Sequence, residues 1–194
     1  MRSVVNQDTS AGQTVIEDEA QMVAAAKQDP GAFGALYDRH APKIYRYLLS
    51  RLGNVEDARD VTSQTFLTAF ETFPRYSHHG YFSAWLFSIA HSKCVDHWRK
   101  AGRQNKTRAE HNPEPLPDPL LTVIETERMA QLRQRIGELS IEEQELLRLR
   151  YVAELSFGEM AAILNKNTQA VKKSLYRLLA RLQAALQNDG QAEK

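Results

Sequence analysis

"LSIEEQELLRLRYVAELSFGEMAAILNKNTQAVKKSLYRLLARL", residues 139–182, decides the fold. Ser140 followed by Glu143 is a capping box ahead of Leu146, Leu147 and Leu149, and Ser156 followed by Glu159 is a second one ahead of Met160, Ile163 and Leu164. Asn167 is placed to cap a third helix, whose apolar face is Val171, Leu175, Leu178, Leu179 and Leu182. Three helices with a tight turn at Leu164–Asn167 predict a helix-turn-helix with a long second member. The N-terminal half of that member would enter a DNA major groove, presenting Thr168, Gln169, Lys172 and Lys173. A glutamine can read a base edge, and lysines reach either guanine edges or phosphates. Tyr176, Arg177 and Arg181 complete the candidate DNA-facing set, the arginines as phosphate contacts.

Charge supports that reading through its distribution rather than its total. The chain carries 25 Lys and Arg against 24 Asp and Glu, which by itself argues nothing about nucleic acid. From Leu164 to Ala184, however, Lys166, Lys172, Lys173, Arg177 and Arg181 meet no acidic residue, whereas Glu138–Glu159 is rich in glutamate. An acidic helix pair beside a basic helix would meet phosphates on one side only. The competing interpretation is a helical bundle with a solvated basic face. Two capping boxes at helix-turn-helix spacing favour DNA.

Upstream, Pro113, Pro115, Pro117 and Pro119 alternate with other residues, which forbids a helix and favours extended chain. The pattern predicts a flexible proline-rich linker over 101–120, with helix resuming near Leu121. Before the linker, Phe33, Leu36, Tyr37, Ile44, Tyr45, Leu48 and Leu49 mark one helix face, with Pro42 as a bend or restart. Gly53-Asn54 ends that helix, and Asn54 caps the next, whose apolar line includes Phe66, Phe70 and Phe73. Pro74 stops it. After a loop, Ser83 is placed to cap a helix with Trp85, Leu86, Ile89, Val95 and Trp98 as core residues. The expectation is therefore an all-α protein of two small helical domains. They would span 20–100 and 121–187, between a flexible arm at 1–19 and a tail at 188–194.

Composition narrows the class. Hydrophobic residues make up 42% of 194, enough for packed cores. One cysteine, Cys94, excludes an internal disulfide and suits a reducing cytoplasm. No apolar run is long enough to cross a membrane, and Asn6, Asp8, Thr9 and Ser10 stand where a signal peptide needs an apolar core. His91, Cys94 and His97 share a helix side but lack a partner at a recognised metal spacing, so no metal or cofactor is expected. Neither a nucleophile turn nor a phosphate loop is present, which argues against an enzyme. The aromatic cluster Tyr76, Tyr81, Phe82, Trp85 and Trp98, interspersed with Arg75, His78, His79, Lys93, Arg99 and Lys100, suits single-stranded DNA or an extruded base. Core packing is the simpler account of the two tryptophans; Tyr76, in a loop, is the better stacking residue.

At this point the chain resembles the extracytoplasmic-function group of the sigma-70 family. "LYDRHAPKIYRYLLSRL" (36–52) is similar to the family's first core-domain helices, and "GNVEDARDVTSQTFLTAFETF" (53–73) to its polymerase-docking helix. "FSAWLFSIAHSKCVDHWRK" (82–100) is similar to the promoter-melting segment, and residues 139–182 to the domain that reads the distal promoter element. The resemblance implies core RNA polymerase and promoter DNA as partners, with an anti-sigma factor as a further one. It implies docking through Asp60, Ser63, Gln64 and Phe66. The loop Arg75–Gly80, with Tyr76, His78 and His79, would face an extruded base, and Lys93, Asp96, Arg99 and Lys100 would approach the upstream duplex edge.

Two motifs depart from the family pattern. "RDVTSQTF" stands where "EDLVQETF" is common, and "QAVKKSL" where "GTVKSRL" is common, with Asn165 in place of the usual turn glycine. Asparagine tolerates the left-handed backbone that such a turn needs. Two other functions compete: a stand-alone helix-turn-helix regulator, which the aromatic segment after Pro74 disfavours, and a degenerate sigma-like protein-interaction module, which the altered docking helix favours.

Overall fold

In the computed structural model the backbone is described for residues 7–77, 81–104 and 127–192, and side chains for 18–77, 81–100, 129 and 131–187. The described residues form eight α-helices and no strand, in two compact units, 1–112 and 113–194. The all-helical expectation holds. The N-terminal unit contains α1 (Gln7–Gln28), α2 (Phe33–Leu52), α3 (Val55–Thr72) and α4 (Phe82–Gln104). The C-terminal unit contains α5 (Glu127–Gly137), α6 (Ile141–Leu147), α7 (Phe157–Leu164) and α8 (Thr168–Ala192).

Helix ends differ from the sequence expectation in three places. α1 begins at Gln7, inside the stretch 1–19 expected as a flexible arm, because a helix propagates through polar residues once its packed part is nucleated. For the same reason α4 runs to Gln104 and α8 to Ala192. The proline-rich stretch 105–120 lies outside the described residues. Pro42 does not break α2, which is continuous over 20 residues.

The core of the N-terminal unit is built from α2, α3 and α4. α2 buries Phe33, Leu36, Ile44, Tyr47 and Leu48, and also the polar His40 and Arg51. The expected Tyr37 is exposed, and Tyr45 and Leu49 are half-buried. The true face is thus rotated towards two polar positions that an apolar count omits. α3 buries Ala58, Val61, Thr62, Thr65, Phe66 and Ala69, whereas Phe70 is 48% exposed. Thr62 and Thr65 satisfy their hydroxyls on the carbonyls of Ala58 and Val61, so a polar residue can enter this core without an unmet donor. α4 buries Phe82, Leu86, Phe87, Ala90 and Cys94; Trp98 is 42% exposed and Trp85, Ile89 and Val95 are half-buried. Cys94 behaves as the expected small apolar residue.

Gly53 closes α2 in the left-handed region (φ 67°), and Asn54 caps α3 by accepting the Asp57 N–H at 3.0 Å. α4 starts differently. Ser83 is buried within the helix, and the Phe82 N–H donates instead to Glu19 Oε2 of α1 at 3.1 Å. The other Glu19 oxygen lies 3.1 Å from His40 Nε2, at hydrogen-bond distance but without hydrogen-bond alignment. One buried carboxylate therefore joins α1, α2 and the start of α4. Removing it strands the Phe82 N–H in the core.

This contact sets a testable contrast. Glu19→Ala should destabilise the protein by about 1–3 kcal/mol. Asp18→Ala should cost no more than about 1 kcal/mol, because the Asp18 side chain is 60% exposed in its pair with Arg39. Urea unfolding of both variants measures the difference; equal losses would deny Glu19 its linking role.

Candidate DNA and polymerase interfaces

Both capping boxes of the C-terminal unit form. Ser140 Oγ accepts the Glu143 N–H while Glu143 accepts the Ser140 N–H, and Ser156 and Glu159 do the same. After α6 the chain makes one π turn, Arg148–Val152, then leaves the helix through Glu154 at φ 56°. Arg150 Nη1 donates to Leu155 O at 2.9 Å and closes that corner. Asn165 ends α7 in the left-handed region (φ 50°), and Asn167 Oδ1 accepts the Gln169 N–H at 2.8 Å at the start of α8. Val171, Leu175, Leu178 and Leu182 are buried, which turns Thr168, Gln169, Lys173 and Arg177 outward. This is the expected helix-turn-helix.

The structure redistributes the basic residues of that helix. Arg181 pairs with Glu143 at 2.6 Å and Lys166 with Glu142 at 3.6 Å, so the acidic helix holds two of the five cations. The Arg181 hydrogen bond, helped by the Ser140 N–H, lowers the Glu143 carboxyl below its ordinary value. Arg181, expected as a DNA contact, also ties α8 to α6, because the negative charge of the capping box draws it back. Lys172 is half-buried, its Nζ 5.8 Å from the Phe157 ring centroid and 5.9 Å from that of Tyr176.

In the N-terminal unit, Asp60, Ser63 and Gln64 lie together on the exposed side of α3, and Gln64 Nε2 donates to Asp60 Oδ2 at 2.7 Å. Ser63 Oγ turns back to Arg59 O. Phe66 does not join them. It is 5% exposed and packs edge-on against Tyr37, 4.7 Å between centroids, because its position one residue round from the polar stripe faces the core. It can support the docking face but cannot touch a partner there.

Arg75 is exposed, and Tyr76 is packed rather than free-standing. The Tyr76 ring lies 4.5 Å from Trp85, 5.5 Å from Phe82 and 6.0 Å from Phe73. Lys27 completes this cluster from α1: Nζ donates to Phe73 O at 2.7 Å and Pro74 O at 3.1 Å, over the Phe73 ring. Nothing local in the sequence signals Lys27, which comes from 46 residues away. His78 and His79 lie outside the described residues. Lys93, Asp96, Arg99 and Lys100 follow one another along one side of α4, Lys93 half-buried and the others exposed, with Arg99 3.8 Å from Asp96. No group of three potential metal ligands occurs among the described residues.

The comparisons with known proteins match both units. The family model for Sigma-70 region 2 matches residues 36–104, and that for Sigma-70, region 4 matches residues 129–182. The ECF RNA polymerase sigma factor BldN of Streptomyces coelicolor is 32% identical over 182 residues, covering 89% of this chain and 68% of its own. The chain belongs to the extracytoplasmic-function group of the sigma-70 family. The ECF RNA polymerase sigma factor SigD of Mycobacterium tuberculosis is also 32% identical, over 84% of this chain and 81% of its own. The structure of CnrH in complex with the cytosolic domain of CnrY is similar at a TM-score of 0.61 and 26% identity, over 87% of this chain and 96% of that one. RpoE of Bartonella quintana, solved with the anti-sigma factor NepR, shares the fold at a TM-score of 0.58 and 20% identity. As an ECF sigma factor the chain acts in transcription initiation, with core RNA polymerase and promoter DNA as its partners. The family points to a non-enzyme. No helix among the described residues is long and apolar enough to cross a membrane.

The packing of Tyr76 has a titration consequence. Burial, and then the nearby Glu19 carboxylate, push its phenol from 10.0 up to about 12. A raised acid pKa favours the neutral form in the folded state, so this stability is present below pH 10.0 and is lost as pH rises towards 12. An ultraviolet titration of tyrosinate should show a late-ionising ring that Tyr76→Phe removes. If the variant leaves the late phase intact, the packed ring is not its source.

Proposed function

We propose that this sigma factor divides its work between the two units. Residues 20–100 dock on core polymerase and hold the melted promoter edge; residues 121–187 read the distal element, and the proline-rich stretch 101–120 tethers them. The supporting observation is the capped helix α8. Its buried Val171, Leu175 and Leu178 leave Gln169 and Lys173 on the exposed N-terminal half that the helix-turn-helix geometry offers to a major groove. Gln169 reads a base edge. Arg177, two helical turns further, takes a phosphate, and the cap at Asn167 leaves helix-terminal N–H groups suited to the backbone. Asp60 and Gln64 form the polar docking face of α3.

Around Tyr76 the reading is of a supported aromatic wall. Tyr76, Trp85 and Arg75, with His78 and His79, face the extruded base, while Lys93, Asp96, Arg99 and Lys100 approach the duplex edge. Chemistry belongs to the polymerase, so the chain works without catalysis or cofactor, in the cytoplasm where core polymerase is found. The CnrH structure holds the cytosolic domain of CnrY, which supports a protein partner of the anti-sigma kind for this chain as well.

Two predictions separate the units. Asp60→Arg should weaken binding to core polymerase without changing helix content, because it reverses charge on an exposed face; pull-down with purified core polymerase reads this, and parental binding would remove the docking face from α3. In a promoter library, Gln169→Ala should change the distal sequence selected, at a cost of about 1–3 kcal/mol for the lost base contact. Arg177→Ala should weaken all sequences alike and lower the salt dependence by roughly one phosphate contact. Identical profiles for the two variants would contradict the division between reading and anchoring.

A further inference from the structure

A cation-aromatic stack runs across the helix-turn-helix. The Arg150 guanidinium carbon lies 4.8 Å from the Phe157 ring centroid, Lys172 Nζ lies 5.8 Å from the same centroid, and Lys172 Nζ lies 5.9 Å from the Tyr176 centroid. The two rings are 6.0 Å apart. Lys172 and Tyr176 stand one turn apart on α8, so their side chains meet on one face. Phe157 comes from the first turn of α7. Its helix is fixed in turn by the Ser156–Glu159 capping box and by Arg150, whose guanidinium bonds Leu155 O.

We infer that Phe157 and Tyr176 are positioning residues that hold the Lys172 ammonium for promoter recognition. A lysine on a bare helix samples many rotamers and must be ordered when it binds. Two ring faces attract its charge and restrict those rotamers beforehand. The ammonium then lies between the start of α7 and the N-terminal half of α8. Tyr176 thereby acts through Lys172 rather than as a DNA contact of its own. Lys173, next in sequence, is exposed and has no ring contact among the described residues, so the two adjacent lysines differ in their surroundings. This inference rests on the reading that α8 contacts the distal promoter element.

The test uses the full chain and four variants: Lys172→Ala, Phe157→Leu, Phe157→Tyr, and Lys172→Ala combined with Phe157→Leu. Leucine keeps apolar bulk but has no ring face; tyrosine keeps the face. Ring currents should shift the Lys172 Hε protons upfield in the parent and in Phe157→Tyr, and much less in Phe157→Leu. In the promoter library, Lys172→Ala and Phe157→Leu should relax preference at the same promoter position. Phe157→Leu should lose about three- to tenfold in discrimination there, the scale of one or two cation-π contacts. The double variant should be no worse than Lys172→Ala. Parental unshifted Hε protons, or additive losses in the double variant, would overturn the positioning role. A shifted preference in Lys172→Ala with none in Phe157→Leu overturns it alone and leaves the DNA reading standing. Unchanged DNA binding in Lys172→Ala also overturns the positioning role, and the reading that α8 contacts the distal element falls with it only if Gln169→Ala and Arg177→Ala bind as the parent does.

Discussion

Helix ends leave backbone N–H groups without intrahelical partners, and where those groups find acceptors governs how both units are built. In the C-terminal unit the acceptors are local. Ser140, Ser156 and Asn167 each close their own helix start, so α6, α7 and α8 begin where the sequence places them. In the N-terminal unit, α3 is closed locally by Asn54, but α4 takes its acceptor from Glu19, 63 residues away. That carboxylate sits in the interior, where it accepts the Phe82 N–H and lies beside His40. It fixes α1 against the start of α4, beside the Tyr76 cluster. The position of the proposed promoter-melting wall therefore depends on α1, through Glu19 at the start of α4 and through Lys27 beside the Phe73 and Tyr76 rings.

Long cationic side chains are used as structural parts throughout. Lys27 ties the end of α3 through two carbonyls. Arg51 is buried on α2, bonded to Tyr47 Oη and His91 Nδ1 at 3.0 Å each, with its guanidinium 5.0 Å from the Trp98 centroid. Aliphatic stems cover apolar surface while the heads find carbonyls, hydroxyls or ring faces. The 42% exposed Trp98 thus has a charge over its ring. The same device recurs at Lys172, set against the Phe157 and Tyr176 rings.

This usage changes the electrostatic account of the DNA-reading unit. By sequence, α8 and the turn before it offer five positive charges. In the folded unit, Glu142 and Glu143 engage Lys166 and Arg181, and two rings hold Lys172. Lys173 and Arg177 remain on the exposed side with Gln169. The acidic helix α6 takes up cations near both ends of the basic stretch and leaves Lys173 and Arg177 exposed in its middle. Ion pairs at this exposure contribute little to stability; their effect is on where charge is presented.

The sequence by itself determined whatever depends on contacts within a turn or two. Both capping boxes, the Asn165 turn, the Asn167 cap, the Gly53 stop and the buried series Val171, Leu175, Leu178 follow from residue spacing, and they carry the helix-turn-helix and the family resemblance. Tertiary structure decided what depends on distant partners. Phe66 and Phe73 kept the inward place that the apolar period of α3 gives them, but Phe70 turned outward because neighbouring helices define where solvent begins. Arg51 entered the core where Tyr47 and His91 meet its guanidinium, His40 lies there beside Glu19, and the Phe82 N–H at the start of α4 found its acceptor in Glu19. Arg181 met Glu143, and Lys172 met Phe157, only through that packing. Spacing encodes a helix and its ends because those forces act between near neighbours; the partner of a long charged side chain is chosen only when the helices have packed.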